Sequence, residues 1–296
     1  MCRIFFIFLC FILFSVFPLF AGQTNNLVTA AEPYGIDFSQ LQGSVQQVTE
    51  YRGEKIDKLV KYSVQEFSDN KILNSTVFDQ TGNVRAVTKY DYDSAGKLLS
   101  ITGTDSAGSV KWSYQYSYNE SGLQTEEKSY NSANVLEGRI TFRYDKNGRM
   151  LEQRTYNGSG ELTLKRTLVY NELGQVSSDS SQYADDKLLK RMIFTYTKKG
   201  SVLQEDHFDA TGFYERIDYS YGDTGRLSGF VNIGKGSVIN SRTELTYGAT
   251  GKIAREKITN GDNIQNDIVY TYDYNENWIV KFDGKSYTFR EIAYKG

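Results

Sequence analysis

Hydrophobic and polar residues alternate with period two over short stretches of this chain, and the stretches return at a fixed interval. In one of them Ile140, Phe142 and Tyr144 fall on one side while Arg139, Thr141 and Arg143 fall on the other, which predicts a strand with one buried face. Such stretches end on Tyr92, Tyr118, Tyr144, Tyr170, Tyr196, Tyr221, Tyr247 and Tyr272. The residue two before each tyrosine is Tyr90, Tyr116, Phe142, Leu168, Phe194, Tyr219, Leu245 or Tyr270, so the apolar stripe is continuous next to the tyrosine. Two residues further back it is mixed, with Thr88, Arg166 and Thr243 among Tyr114, Ile140, Met192, Ile217 and Ile268.

Four residues after each tyrosine stands a glycine, at Gly96, Gly122, Gly148, Gly174, Gly200, Gly225 and Gly251, in steps of 26, 26, 26, 26, 25 and 26 residues. The eighth copy, Tyr272 to Glu276, loses the glycine. The chain is therefore a repeat array. Tyr92-Asp93-Ser94-Ala95-Gly96 has the chemistry of a type I bend closed by a left-handed glycine: Asp accepts backbone hydrogen bonds, and Gly tolerates positive φ. That three-residue hairpin loop carries one bulged residue, which places Tyr92 opposite Leu98. The equivalent slots hold Gln124, Met150, Val176, Val202, Leu227, Ile253 and Trp278, seven of eight apolar. A weaker set of turns is centred on Gly82, Gly108, Asn134, Gly160, Lys187, Gly212 and Gly236.

Each unit of about 26 residues thus reads as a hairpin of one amphipathic strand and one mostly solvated strand, as in Thr125-Glu126-Glu127-Lys128 or Gln204-Glu205-Asp206-His207. The predicted fold class is all-β, a long antiparallel meander of repeated hairpins. About sixteen strands at ~4.8 Å spacing would give a ribbon roughly 77 Å wide, and open sheets beyond ~10 strands curl, split or flatten. A round sixteen-stranded barrel would enclose a lumen too wide for these side chains to fill. The expectation is a sheet strongly curved or folded on itself, with a tyrosine-lined inner face.

The ends of the chain and its composition add compartment and organisation. Arg3, an apolar run from Ile4 to Phe20 and then Ala21 form the pattern of a secretory signal. Both cysteines, Cys2 and Cys10, fall within it, so a cleaved chain would have neither disulfides nor thiolate metal sites. The expected organisation is a signal peptide over 1–21, a flexible segment over 22–42, capping strands with a degenerate repeat over 43–75, the repeat array over 76–280 and a capping strand over 281–296. With a formal net charge of -2 and no basic block, nucleic acid is not an expected partner. After signal cleavage, no stable membrane insertion is expected either.

Candidate chemistry is sparse. His207, the single histidine, lies between Asp206 and Asp209 and reads as solvated. Adjacent carboxylates such as Glu126-Glu127 and Asp185-Asp186 point to opposite strand faces, which suits solvation better than paired acid/base work. Asp91 to Gly96 does not open a complete calcium loop, because the twelfth position is Thr102. No catalytic, cofactor or metal residues are assigned. The candidate ligand-binding residues are Trp112, Tyr114, Tyr116 and Tyr118, which share one strand face and would stack on sugars if exposed; as core aromatics they simply continue the tyrosine column.

The segments Tyr92-Asp93-Ser94-Ala95-Gly96-Lys97-Leu98, Tyr144-Asp145-Lys146-Asn147-Gly148-Arg149-Met150 and Tyr221-Gly222-Asp223-Thr224-Gly225-Arg226-Leu227 resemble the Y-D-x-x-G-R-L core of the YD, or RHS, repeat family. The resemblance covers roughly residues 67 to 280 and rests on eight copies in register. It implies a curling β-sheet and a role either in cell-surface adhesion or as a shell around a C-terminal toxin. The array runs to within about 20 residues of the end of this sequence, so a C-terminal toxin is not expected, and its unit is longer than the family repeat.

The expected function is an exported, non-enzymatic repeat protein that binds a protein or polysaccharide at the cell envelope, whether periplasmic, cell-surface or secreted, with no cofactor. The alternatives are a carbohydrate-active enzyme, which requires two carboxylates converging on a cleft, and an outer-membrane β-barrel, whose lipid-facing strands should be far less charged than these.

Overall fold

The computed structural model describes residues 41–295; the predicted signal and nearly all of the 22–42 segment lie outside them. The first strands are β1 (Val45–Gly53), β2 (Val60–Ser68), β3 (Lys71–Phe78), β4 (Val84–Tyr92), β5 (Leu98–Asp105), β6 (Val110–Tyr118) and β7 (Gln124–Asn131). The chain continues through β8 (Leu136–Tyr144), β9 (Met150–Asn157), β10 (Leu162–Tyr170), β11 (Val176–Tyr183), β12 (Leu188–Tyr196), β13 (Val202–Asp209) and β14 (Gly212–Tyr221). It ends with β15 (Leu227–Gly234), β16 (Ile239–Tyr247), β17 (Ile253–Asn260), β18 (Asn263–Tyr272), β19 (Trp278–Phe282) and β20 (Tyr287–Tyr294), with one 3-10 turn at Lys235–Ser237.

Each unit is built by its turn. Asp93 donates its backbone N–H to the Lys97 carbonyl and its carbonyl accepts from Gly96, while the Asp93 carboxylate accepts from the Lys97 N–H at 2.8 Å. Gly96 has φ 82°, in the region where a Cβ is costly. The register shifts by one residue between Asp91 and Tyr92, and Tyr92 faces Leu98 as the sequence predicts. The same shift recurs at Tyr118 opposite Gln124, Tyr144 opposite Met150 and Tyr170 opposite Val176. In the eighth unit Glu276 takes the left-handed slot itself, at φ 64°. One weak turn differs from expectation: the left-handed residue is Asp186, at φ 63°, and not Lys187. Asp186 donates its N–H to the Tyr183 carbonyl as Gly160 does to Asn157, so the bend is of the same kind and falls one position earlier than expected. At Gly148 a Cβ would meet only Leu123 Cδ1, at 3.7 Å. Gly148→Ala is therefore expected to cost only the backbone penalty of about 1–2 kcal/mol, read as a lower denaturant midpoint with an unchanged slope.

A second bond ties each unit to its predecessor. The Tyr118 hydroxyl donates to the Leu98 carbonyl at 2.8 Å, Tyr144 to Gln124 at 2.8 Å, Tyr170 to Met150 at 2.8 Å and Tyr196 to Val176 at 2.6 Å. Tyr92, Tyr221, Tyr247 and Tyr272 repeat the arrangement with Ile72, Val202, Leu227 and Ile253. From Tyr118 onward each ring therefore lies across the strand before it, over the residue that faces the previous tyrosine, whereas Ile72, bonded by Tyr92, faces Phe67. In three units the residue after the glycine is a base that caps the next ring: Lys97 over Tyr118 at 5.6 Å, Arg149 over Tyr170 at 4.7 Å and Arg226 over Tyr247 at 5.8 Å. In three others the same slot holds Leu123, Gln175 or Ser201.

Every strand is antiparallel to the one before it, and β1 pairs with both β2 and β20. The meander closes into a twenty-stranded barrel. Twenty strands at ~4.8 Å, tilted by ~40°, make a ring about 40 Å across, far beyond the ~10 Å over which facing sheets pack. Both buried apolar clusters accordingly come from contiguous strands. Val202, Ile217, Tyr219 and Leu227 belong to β13, β14 and β15, and Val45, Val48 and Phe67 belong to β1 and β2. The expected all-β meander is observed, curved until its ends meet, and neither buried apolar cluster among the described residues spans the barrel; burial is achieved along the wall.

The tyrosine column marks the inner side. Tyr90, Tyr116, Leu168 and Tyr219 are buried, whereas the intervening positions Asp91, Ser117, Val169 and Ser220 are exposed; side chains crowd on the concave surface and splay apart on the convex one. The outer surface is laced with ion pairs, among them Lys128–Glu126 at 2.7 Å, Arg154–Glu152 at 2.9 Å and Arg216–Asp206 at 2.7 Å.

Candidate lumen-facing site

The inner wall is polar as well as aromatic, and here the sequence reading needs correction. The strands expected to be mostly solvated bury polar residues opposite the aromatic stripe. Glu127 faces Tyr116, Asp179 faces Leu168 and Glu205 faces Phe194, and all three are buried. Glu126 and Glu127 do point to opposite faces, but only the first is solvated. Burial without a cation beside it raises the Glu127 carboxyl above the usual range. Asp179 is instead paired with Arg166, whose Nη2 lies 2.6 Å from Oδ2.

His207 is likewise not solvated; it is 3% exposed. Its Nε2 lies 3.1 Å from Glu205 Oε2, and its Nδ1 lies 3.6 Å from Glu215 Oε2. The other Glu205 oxygen accepts from the Tyr219 hydroxyl at 2.7 Å, and the Tyr214 ring meets the imidazole edge-on at 5.9 Å. The cluster stitches β13 to β14 across one inner face. Burial and the adjacent Glu205 carboxylate raise the hydroxyl pKa of Tyr219 and push that of Tyr196 up to about 12. Period-two patterning concealed this cluster, because Glu205 and His207 occupy the buried parity but are not apolar. His207→Phe leaves Glu205 and Glu215 without the imidazole between them and should cost about 2–4 kcal/mol. Urea denaturation reads the loss, which a second substitution, Glu205→Gln, should partly restore; a cost within ±0.5 kcal/mol would show that the cluster does not hold these strands.

The four candidate aromatics all project from the inner face of β6, but to different depths. Tyr116 is buried. Tyr118 is committed to the Leu98 carbonyl and to the cation of Lys97. Trp112 and Tyr114 are partly exposed and meet edge-on, with centroids 5.5 Å apart and planes at 64°. Trp112 lies over Gly103 of β5, its partner in the ladder.

No family model matches the chain, and no curated protein matches it. Solved structures do show likeness. A crystal structure of TcdB2-TccC3-Cdc42 aligns with TM-score 0.34 and 10% identity, over 77% of this chain and 15% of that one. The Photorhabdus luminescens Tc holotoxin pore aligns with TM-score 0.27 and 16% identity, over 75% of this chain and 15% of that one. A porin-like protein from Bacteroides uniformis aligns with TM-score 0.39 and 8% identity, over 86% of this chain and 99% of that one. The chain thus spans about 15% of the toxin chains it resembles.

No helix among the described residues is long and apolar enough to cross a membrane. That says nothing about strands, whose outward positions are the ones that would meet lipid. A lipid-embedded barrel presents an apolar band flanked by aromatic girdles, whereas the outward positions here include Lys128, Glu126, Arg143, Glu152 and Arg154.

Proposed function

We propose that this protein is an exported, non-enzymatic repeat barrel of YD-repeat character that binds a polysaccharide or protein at the cell envelope through its lumen. The observation that carries the reading is the contrast between the two faces of the wall: ion pairs lie on the exposed parity, while the aromatic residues share the more buried one. Aromatic rings in a concave, partly polar setting are the usual composition of a ligand surface. The leader at 1–21 supports export, and the charged outer wall weighs against the outer-membrane alternative. The test is affinity capture with the immobilised chain lacking residues 1–21, challenged separately with envelope polysaccharide and envelope protein. Saturable retention of one fraction is expected. Retention of neither, with the barrel shown to be folded by circular dichroism, would refute the reading.

A further inference from the structure

The repeat supplies a control for every position in the wall, and one place departs from it twice. Six residues before the tyrosine, successive units carry Trp112, Gly138, Leu164, Lys190, Glu215, Ser241 and Asn266; the large aromatic occurs once. The facing position on the preceding strand is Gly103 at Trp112, against Ser129, Thr155, Ser181, His207, Asn232 and Ile258 elsewhere. The two departures are coupled: a Cβ at Gly103 would fall 2.2 Å from Trp112 Cε2. Glycine is needed there because the indole lies against bare backbone of β5. On the other side the wall is also pared down, with Ser129 opposite Tyr114 and Gly138 opposite Ser129. The Ser129 hydroxyl hydrogen-bonds the Gly138 carbonyl at 3.3 Å.

The result is a flat indole resting on the wall with Tyr114 rising beside it at 64°, and both rings are partly exposed. A wall that needed only packing would hold an aliphatic residue here, as Leu164 does two units on. Two aromatic planes meeting in a corner present a C–H-accepting face and an edge, the complement of a pyranose ring with its axial hydrogens on one face. Ser129, Asn131 and Glu127 lie on the same inner face of β7, opposite Tyr114, Trp112 and Tyr116, and provide hydroxyl, amide and carboxyl groups along one side. Glu127 lies on this inner face, and the two bases beside it are already engaged, Lys97 over the Tyr118 ring at 5.6 Å and Lys111 with Asp105 at 2.8 Å, so an anionic glycan would meet an acid and no base that is not already committed.

We infer that the Trp112–Tyr114 corner is a subsite for one sugar ring of a neutral polysaccharide. The inference rests on the lumen reading above and adds the ligand class and the place. The chain has two tryptophans, and Trp278 is covered by the Arg290 guanidinium at 3.5 Å, so a Trp278→Phe background makes Trp112 the sole indole reporter. Cellohexaose, maltohexaose and xylohexaose are titrated against that protein, and at least one should give a saturable change in indole emission. In the otherwise native chain, Trp112→Ala and Gly103→Val should each weaken the same hexasaccharide at least tenfold by calorimetry. Trp112→Phe, which keeps a stacking face, should weaken it less. Circular dichroism and Trp278 emission establish that each variant is folded. If envelope polysaccharide is captured equally by wild type and by a folded Trp112→Ala protein, the subsite is overturned while the lumen reading stands. If Trp112 emission responds only to oligogalacturonate or to peptide, the neutral-glycan assignment is overturned. If wild type captures no envelope fraction and no hexasaccharide moves the emission, both fall together.

Discussion

Replacing Glu50 by alanine should open the barrel at its seam and lower stability by about 3–5 kcal/mol, the expected cost of leaving one member of a buried ion pair alone. β1 and β20 meet through residues 240 positions apart, and Glu50 and Arg290 face each other across that ladder. Glu50 is 2% exposed and Arg290 5%; the Arg290 Nε lies 3.3 Å from Glu50 Oε2. Arg52 approaches the other carboxylate oxygen at 2.7 Å, and the Arg290 guanidinium stacks on Trp278. Glu50→Ala strips the acceptor from two cations at once, one of them buried. Chemical denaturation followed through Trp278 emission measures the loss, and hydrogen exchange should quicken first in β1 and β20. The double substitution Glu50→Gln with Arg290→Met removes both charges and should recover much of the stability, as replaced buried pairs often do. Comparable exchange in β9 and β10, on other parts of the ring, would show that the seam is not the point of opening.

That seam was the least legible part of the fold. The tyrosine beat reported the local unit faithfully: the Asp-to-Gly bend, the bulge beside the tyrosine and the Tyr92–Leu98 pairing all depend on residues within seven positions, and turn chemistry specifies them. Closure runs through the β1–β20 ladder, where Glu50 meets Arg290; both lie in strands without the beat, and no local pattern links them. β1, β2, β3 and β20 stand outside the sixteen strands of the array, β4 to β19, and close the ring without repeating its full motif. The inner-wall acids were missed because alternation is diagnostic when one strand face meets an apolar core. In a closed barrel whose burial runs along the wall, the buried parity needs only neighbours on a concave surface, so Glu127, Asp179 and Glu205 qualify. Trp112 was legible as an aromatic in the column, but the reason for interest in it, its seat on Gly103, required the ladder.

The barrel should also unfold cooperatively in alkali, well before its arginine pairs discharge. Burial raises the hydroxyl pKa of Tyr118, Tyr144, Tyr170, Tyr221 and Tyr272, and it pushes Tyr196 and Tyr270 up to about 12. Carboxylates contribute in places, Glu205 beside Tyr196 and Glu256 beside Tyr270. An unfolded tyrosine ionises near pH 10. The folded chain therefore holds its phenolic protons more tightly, and wherever the unfolded state binds fewer protons stability falls as pH rises. The contribution is complete below about pH 10 and disappears as pH climbs through the folded values near 12. Each ionised ring also loses the hydroxyl donor that bonds the carbonyl of the preceding strand, as Tyr144 does to Gln124, so one ionisation loosens the lid over its neighbour. Because the column runs through eight successive units, these losses propagate along the wall. Phenolate absorbance near 295 nm, recorded with far-ultraviolet circular dichroism, should show a group of tyrosines that ionise only as the sheet signal collapses. Tyr144→Phe should delay the collapse at that unit while lowering stability at pH 7 by about 1 kcal/mol for the lost bond. Smooth titration of all tyrosines near pH 10 with the sheet intact would mean that the rings are not sealed against the wall.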